Sequence, residues 1–139
     1  MKYSSLFNNN KIQQHKTSKQ EIDALLRIAE RDIADAKIKG ISDDRSFATA
    51  YNAALQLSTI ILAIEGFRTR GQAHHKTTFD FLELSDFKNL YPYAMYFNKC
   101  RQKRNDVDYD RTFVVSEKEK NELIQKAEEF YGLVKKLLP

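Results

Sequence analysis

Between Asp43 and Phe67 the chain carries apolar side chains on two helical faces at once, and this stretch limits the fold more than any other. Phe47, Tyr51, Ala54, Leu55, Ile61 and Leu62, with Ser58 among them, recur at helical spacing on one face, while Leu57, Ile60, Ile64 and Phe67 lie on another. A helix patterned in this way has to be covered from two sides. It is therefore the central helix of a bundle, or a helix that also forms a dimer interface. Asp43 or Asp44 can cap its start. Four glycines and two prolines in 139 residues agree with a helical chain rather than turn-rich β structure.

The flanking segments supply the cover. Ser18 and Glu21 form a capping-box pattern, followed by Ile22, Leu26, Ala29, Ile33 and Ala36 at spacings of four and three, which predicts an amphipathic helix ending at Gly40. After the polar break Arg68-Thr69-Arg70-Gly71-Gln72, a short helix is expected from about His74 to Leu84, with Phe79, Leu82 and Phe81 as its apolar positions. Ser85-Asp86 can begin the next turn, and Pro92 fits the first turn of a helix far better than its interior. That helix holds Tyr93, Phe97, Cys100, Arg104 and Val107 on one stripe. A second capping box, Ser116 with Glu119, precedes Ile124, Ala127, Tyr131, Val134 and Leu138.

The expected architecture is all-α: an antiparallel bundle of about five helices forming one domain over residues 18–139. Residues 1–17, with Asn8-Asn9-Asn10 and Gln13-Gln14 and no sustained periodicity, read as a flexible basic leader. No stretch approaches the roughly 20 uncharged apolar residues of a membrane helix, so a soluble cytoplasmic protein with no membrane partner is expected. The single Cys100 and three histidines lack zinc-ligand spacing, so neither a metal nor a cofactor is expected.

The net charge of +4 invites a nucleic-acid reading, but its location qualifies that reading. Lys2, Lys11, Lys16 and Lys19 put four positive charges and no acid into residues 1–20, which leaves the rest of the chain near zero. An electrostatic case for RNA therefore rests on the cluster Lys99, Arg101, Lys103 and Arg104, and on the leader. On a helix Arg101, Asn105 and Tyr109 form one row, and Arg104 shares the stripe of Phe97 and Cys100. Arg104 thus points toward whatever that stripe packs against. Its partner is either Asp108 in an ordinary i,i+4 pair or a phosphate gripped by the guanidinium fork.

Several motifs in order resemble the HEPN superfamily, in its small single-domain bacterial branch. They are Ala48-Thr49-Ala50-Tyr51-Asn52-Ala53-Ala54, then Gly71-Gln72-Ala73-His74-His75-Lys76-Thr77-Thr78, then Arg101-Gln102-Lys103-Arg104-Asn105 before Tyr109. The resemblance spans roughly residues 18–138. It implies a helical bundle paired as a homodimer, a toxin–antitoxin or defence role, a nucleotidyltransferase partner, and metal-independent RNA cleavage. It also implies a site: Arg104 matches the family's catalytic arginine and Asn105 the polar residue after it, but Tyr109 stands where the family has histidine. Tyrosine, with a reference pKa near 10, is a poor base at neutral pH, whereas histidine near 6.5 is a good one.

The assigned set is Arg104, Asn105 and Tyr109 at the reactive centre, with Arg101, Lys99 and Lys103 binding RNA. Tyr109 could instead be an amphipathic anchor, a base-stacking ring or an acceptor for a nucleotidyl group. Arg70, His74 and His75 are secondary candidates, because Arg68 with His74 and Arg70 with His75 also satisfy an arginine-to-histidine spacing. Their alternative role is capping or packing at the loop. A non-catalytic HEPN-like module that binds a nucleotidyltransferase, a nucleotide or another protein is the rival to the RNase reading.

Overall fold

The computed structural model describes residues 2–72, 74–109 and 114–139, and for residues 106–109 the backbone alone. The two-faced segment becomes α3 (Asp43–Ile64), covered along its length as its pattern requires. Phe47, Ala50, Tyr51, Ala54, Leu57, Ile60, Ile61 and Leu62 are all buried. Helices α2 (Lys19–Ala36) and α6 (Glu117–Leu137), which touch each other, cover one flank of α3. Helices α4 (His74–Leu84) and α5 (Tyr91–Tyr109), also in mutual contact, cover another. By length and composition alone α3 could cross a membrane, but 61% of its most apolar window is buried by its neighbours, as in the core helix of a packed bundle.

The ends of the helices show where local chemistry decided the boundaries. Ser42, rather than Asp43 or Asp44, caps α3: its side chain accepts the Arg45 N–H at 3.1 Å. The two aspartates occupy the first turn, where their charge complements the helix dipole. Asp44 also accepts the Val115 N–H at 3.0 Å, tying the entry of α6 to the start of α3. Helix α2 stops at Ala36 instead of reaching Gly40. The Ser46 hydroxyl takes the Ala36 carbonyl, Ile38 turns outward at 54% exposure, and Gly40 adopts φ +95° in the following turn. At the other end of α2, Ser18 caps through the Glu21 N–H as expected. The Glu21 carboxylate, however, turns to Thr17 and His15, so the box is half made. In α6 the Ser116–Glu119 box is complete.

The expectation of a flexible leader does not hold for residues 2–17. They form a short helix α1 (Ser4–Asn8) and a strand β1 (Ile12–Gln14), which pairs antiparallel with β2 (Phe67–Thr69) inside the segment read as a polar break. Tyr3 stacks on Phe81 with ring centroids 3.9 Å apart and donates from its hydroxyl to Glu65 at 2.9 Å. Ile12 is 1% exposed. Two well-placed apolar anchors and a strand pairing thus order a stretch too polar to show a periodic signal.

A 3₁₀ turn (Lys88–Leu90) leads into α5, and Pro92 sits in that helix's first turn, where no backbone donor is needed. Of the aromatics on this helix, Phe97 is fully buried, 5.1 Å centroid to centroid from Phe130 and 6.1 Å from Phe79. Tyr93 and Tyr96 pack at the core margin, while Tyr91 is 47% exposed. The first half of α5 is anchored in this aromatic core, which fixes the rotation of the cationic half that follows.

Candidate functional site

The stripe Phe97, Cys100, Arg104 leaves the core as it runs along α5. Phe97 and Cys100 are buried and Arg104 is half-buried, so the guanidinium emerges at the edge of the apolar interior. Its carbon lies 5.8 Å from the ring centroid of Tyr51 on α3, within range of a cation–π attraction of about 0.5–2 kcal/mol. The Tyr51 hydroxyl is 3.0 Å from Nδ1 of His75, in the first turn of α4, and the two rings are 5.6 Å apart. Three helices therefore contribute one member each: Tyr51 from α3, His75 from α4 and Arg104 from α5.

The electrostatics of Tyr51 define what the cluster can do. Burial pushes its phenol well above the ordinary tyrosine range, and the nearby positive charges of Arg104 and Arg101 pull the other way without overcoming burial. Tyr51 therefore stays a neutral hydroxyl at neutral pH, able to hydrogen-bond but not to act as a base. Among the described groups beside it that can carry charge are the two guanidiniums and the imidazole. That set suits an anion with several oxygens, such as a phosphodiester.

The sequence-assigned residues divide between two faces of α5. Arg101 and Arg104 act on Tyr51, and Arg101 also donates from Nε to the Asn98 side chain at 2.9 Å. Asn105 is half-buried beside Arg104. Lys103 lies on the other face, with its ammonium 3.5 Å from Glu119 of α6. Lys99 is exposed and joins Lys103, Glu119 and Glu122 around a groove of about 150 Å³. The thiol of Cys100, beneath that groove, is pushed up to about 12 by burial and is no nucleophile at neutral pH. Helix α5 runs through Tyr109, but the side chains of Asp108 and Tyr109 lie outside the described residues.

Of the secondary candidates, His75 joins the cluster and His74 does not. The His74 ring bonds Thr69 at 3.1 Å and so secures the end of β2, a loop-packing role. Arg70 is exposed, and its backbone N–H donates to the Lys11 carbonyl at 2.7 Å, extending the strand pairing. Sequence reasoning placed Tyr51 on an apolar face and within a HEPN-like motif but gave it no role at the site. The available signal was a hydroxyl among alanines and leucines on a buried face, since a buried tyrosine oxygen nearly always has a polar partner. Among the described residues no group of three or more His, Cys, Asp or Glu side chains could hold a metal ion.

A family model described as HEPN_SAV_6107-like HEPN matches residues 39–135. The chain belongs to the HEPN_SAV_6107-like HEPN family. No curated protein and no solved structure matched it. The HEPN match runs from just before α3 almost to the end of α6 and contains Tyr51, His75, Arg101, Arg104 and Asn105. It begins beyond α1, β1 and α2.

Proposed function

We propose that this HEPN domain acts on RNA, cleaving it without a metal at a site centred on Arg104, in a cytoplasmic toxin–antitoxin or defence setting. The observation that carries the reading is the placement of the Arg104 guanidinium at the core edge, beside the Tyr51–His75 pair. A fixed cation there can stabilise charge developing on a phosphate during attack by the ribose 2′-hydroxyl. Asn105 orients the same phosphate and Tyr109 contacts the substrate. Arg101 extends the cationic edge along the RNA, with Lys99 and Lys103 adding charge from the neighbouring face. Two copies pair so that their α5 helices line a shared groove, a reading supported by the tendency of HEPN domains to dimerise.

Purified protein incubated with RNA in EDTA should yield fragments ending in 2′,3′-cyclic phosphate. Intact RNA across several substrates would remove the nuclease reading. Sedimentation at micromolar concentration should give twice the monomer mass, and a monomer would remove the shared groove. A second reading, a HEPN module that binds a nucleotidyltransferase or nucleotide without cleaving RNA, is favoured by Tyr109 standing in place of histidine. It predicts intact RNA in that assay together with a nucleotidyl mass increment on Tyr109 after incubation with a partner enzyme and nucleoside triphosphate.

A further inference from the structure

The pairing of β1 with β2 joins two tracts of the chain that carry no acid. Residues 1–20 hold Lys2, Lys11, Lys16 and Lys19, and residues 66–79 hold Arg68, Arg70 and Lys76, with no Asp or Glu in either tract. The antiparallel register sets Gln13 against Arg68 and Ile12 against Thr69. One step further the Arg70 N–H donates to the Lys11 carbonyl at 2.7 Å, so Lys11 stands opposite Arg70. Side chains alternate across a strand: Ile12 and Phe67 pack on the core, and Lys11, Gln13, Arg68 and Arg70 share the outer face. On that face Arg68 and Arg70 are about 7 Å apart along the strand, and Lys11 is about 5 Å across from Arg70.

Their contacts separate these cations from the others in the two tracts. Lys2, Lys19 and Lys76 are each paired with a carboxylate, on Asp86, Asp23 and Asp80 respectively. Lys11, Lys16 and Arg70 are exposed, and among the described residues none of them makes an ion pair. Arg68 is also exposed. With the Gln13 amide turned to suit it, Arg68 donates from Nε and Nη2 to the Gln13 side-chain oxygen, each at 2.8 Å. It acts as well on Glu21, a carboxylate already bonded by the Thr17 hydroxyl at 2.6 Å and by His15 at 2.8 Å. The backbone beneath is fixed by Ile12, 1% exposed, and by Tyr3 stacked on Phe81, so the cations stand on an ordered ribbon. The His74 ring bonds Thr69 at 3.1 Å, tying the ribbon to the first turn of α4, where the next residue, His75, reaches Tyr51.

We infer that the β1–β2 ribbon is a second RNA-binding surface, on which Lys11, Arg68 and Arg70 grip the phosphate backbone without reading its bases. The ligand class rests on the RNA reading proposed above, but the charge and register of the ribbon do not. Guanidinium forks and an ammonium suit phosphate oxygens, and such contacts position a nucleic acid without reporting its sequence. The outer face carries no aromatic ring on which a base could stack and no apolar side chain to sink into a lipid surface. The ribbon adjoins the first turn of α4, so RNA held there lies near the turn that carries His75. The N-terminal residues then retain substrate rather than merely keeping the chain in solution.

Binding of a 2′-O-methyl RNA hairpin, which internal attack cannot cleave, separates this surface from the cleavage reading. In the full chain, Lys11→Gln combined with Arg70→Gln should weaken binding about tenfold or more, and should lower the slope of log affinity against log salt by about one per cation removed. Lys11→Glu puts a carboxylate opposite Arg70, which supports the strand pairing while removing positive charge. It should weaken binding at least as much with the backbone amide spectrum still folded. Lys19→Gln, from the same tract but paired with Asp23 at 2.8 Å, should stay within about twofold of the native protein. A hairpin of scrambled sequence should bind equally well. Affinity and salt slope unchanged in the double variant would overturn the ribbon, and cleavage of unmodified RNA by the same native protein would leave the nuclease reading standing. Ribbon-dependent binding without cleavage would keep the ribbon and remove the nuclease reading. No RNA binding by the native chain would overturn both, and capture by anionic phospholipid vesicles in its place would reassign the ribbon to a membrane surface.

Discussion

Two pairs of cations share one stretch of α5 and meet opposite fates. Lys99 and Lys103 face α6, where Glu119 and Glu122 line the same groove and Lys103 makes its ion pair. Arg101 and Arg104 bring their charge to a buried neutral phenol on α3, and Arg101 also donates to the Asn98 side chain. A run that looks uniformly basic in the sequence is thus sorted by a 100° turn per residue into cations beside the carboxylates of α6 and cations beside an aromatic ring of α3. Charge density along a chain is therefore a weak guide to an anion site. What matters is which groups the fold sets each cation against.

The sharpest break of this comparison is a pair of alanine substitutions one residue apart. Arg104→Ala should lower RNA cleavage by about 10²–10³-fold, the scale on which a preorganised charge stabilises a transition state. Lys103→Ala should change it by less than about threefold, because its ammonium is already engaged with Glu119. Rates of 2′,3′-cyclic phosphate formation under single-turnover conditions measure both. Equal losses would show that the cluster acts as a diffuse patch and that the two faces are not functionally distinct.

The sequence legibly specified whatever depended on local spacing. The bounds of α4, the box at Ser116, the centrality of α3 and the inward set of Arg104 all follow from residues within a few turns of one another. What it concealed are pairings between distant segments. Tyr51 and His75 are 24 residues apart and meet only because α4 packs back onto α3. Strand β1 finds β2 from opposite ends of two helices, through single anchors such as Ile12 that no periodicity scan can register. The cap of α3 failed for a different reason: Ser42, Asp43 and Asp44 are three adjacent competent caps, and backbone geometry, with Ser42 extended at φ −67° and ψ 155°, chose among them.

A smaller effect probes the arginine face by its stability. Removing His75 leaves a buried phenol hydrogen without its acceptor, whereas removing the hydroxyl deletes the need for one. His75→Ala should therefore cost about 1–3 kcal/mol of unfolding free energy, and Tyr51→Phe only about 0.5–1.5 kcal/mol. Adding Tyr51→Phe to His75→Ala should recover part of the loss. Urea midpoints at constant slope report all three values. Strict additivity of the two changes would mean that the hydroxyl and the imidazole are not energetically coupled.

The lysine face should give the smallest effect and a distinctive pH dependence. The Glu119 carboxyl is held below its ordinary range, first by the Ser116 backbone N–H of the capping box, against an opposing cost of burial, and then by the Ser116 hydroxyl and Lys103. A carboxyl whose folded pKa is depressed contributes stability that is present above its unfolded pKa, near 4.3, and disappears as pH falls through the lower folded value. Most of that contribution belongs to the cap and remains in Lys103→Ala. The part owed to Lys103 spans an exposed gap, so Lys103→Ala should cost at most about 0.5 kcal/mol at pH 7 and less in 1 M salt. Glu119→Gln should abolish the difference between Lys103 and alanine at every pH. In the native background that difference should fade as the solution is acidified below the carboxylate range. A Lys103→Ala penalty that persists at pH 2, or survives in Glu119→Gln, would show that the lysine is held by packing of its aliphatic stem, and the two faces of α5 would then differ in geometry without differing in charge compensation.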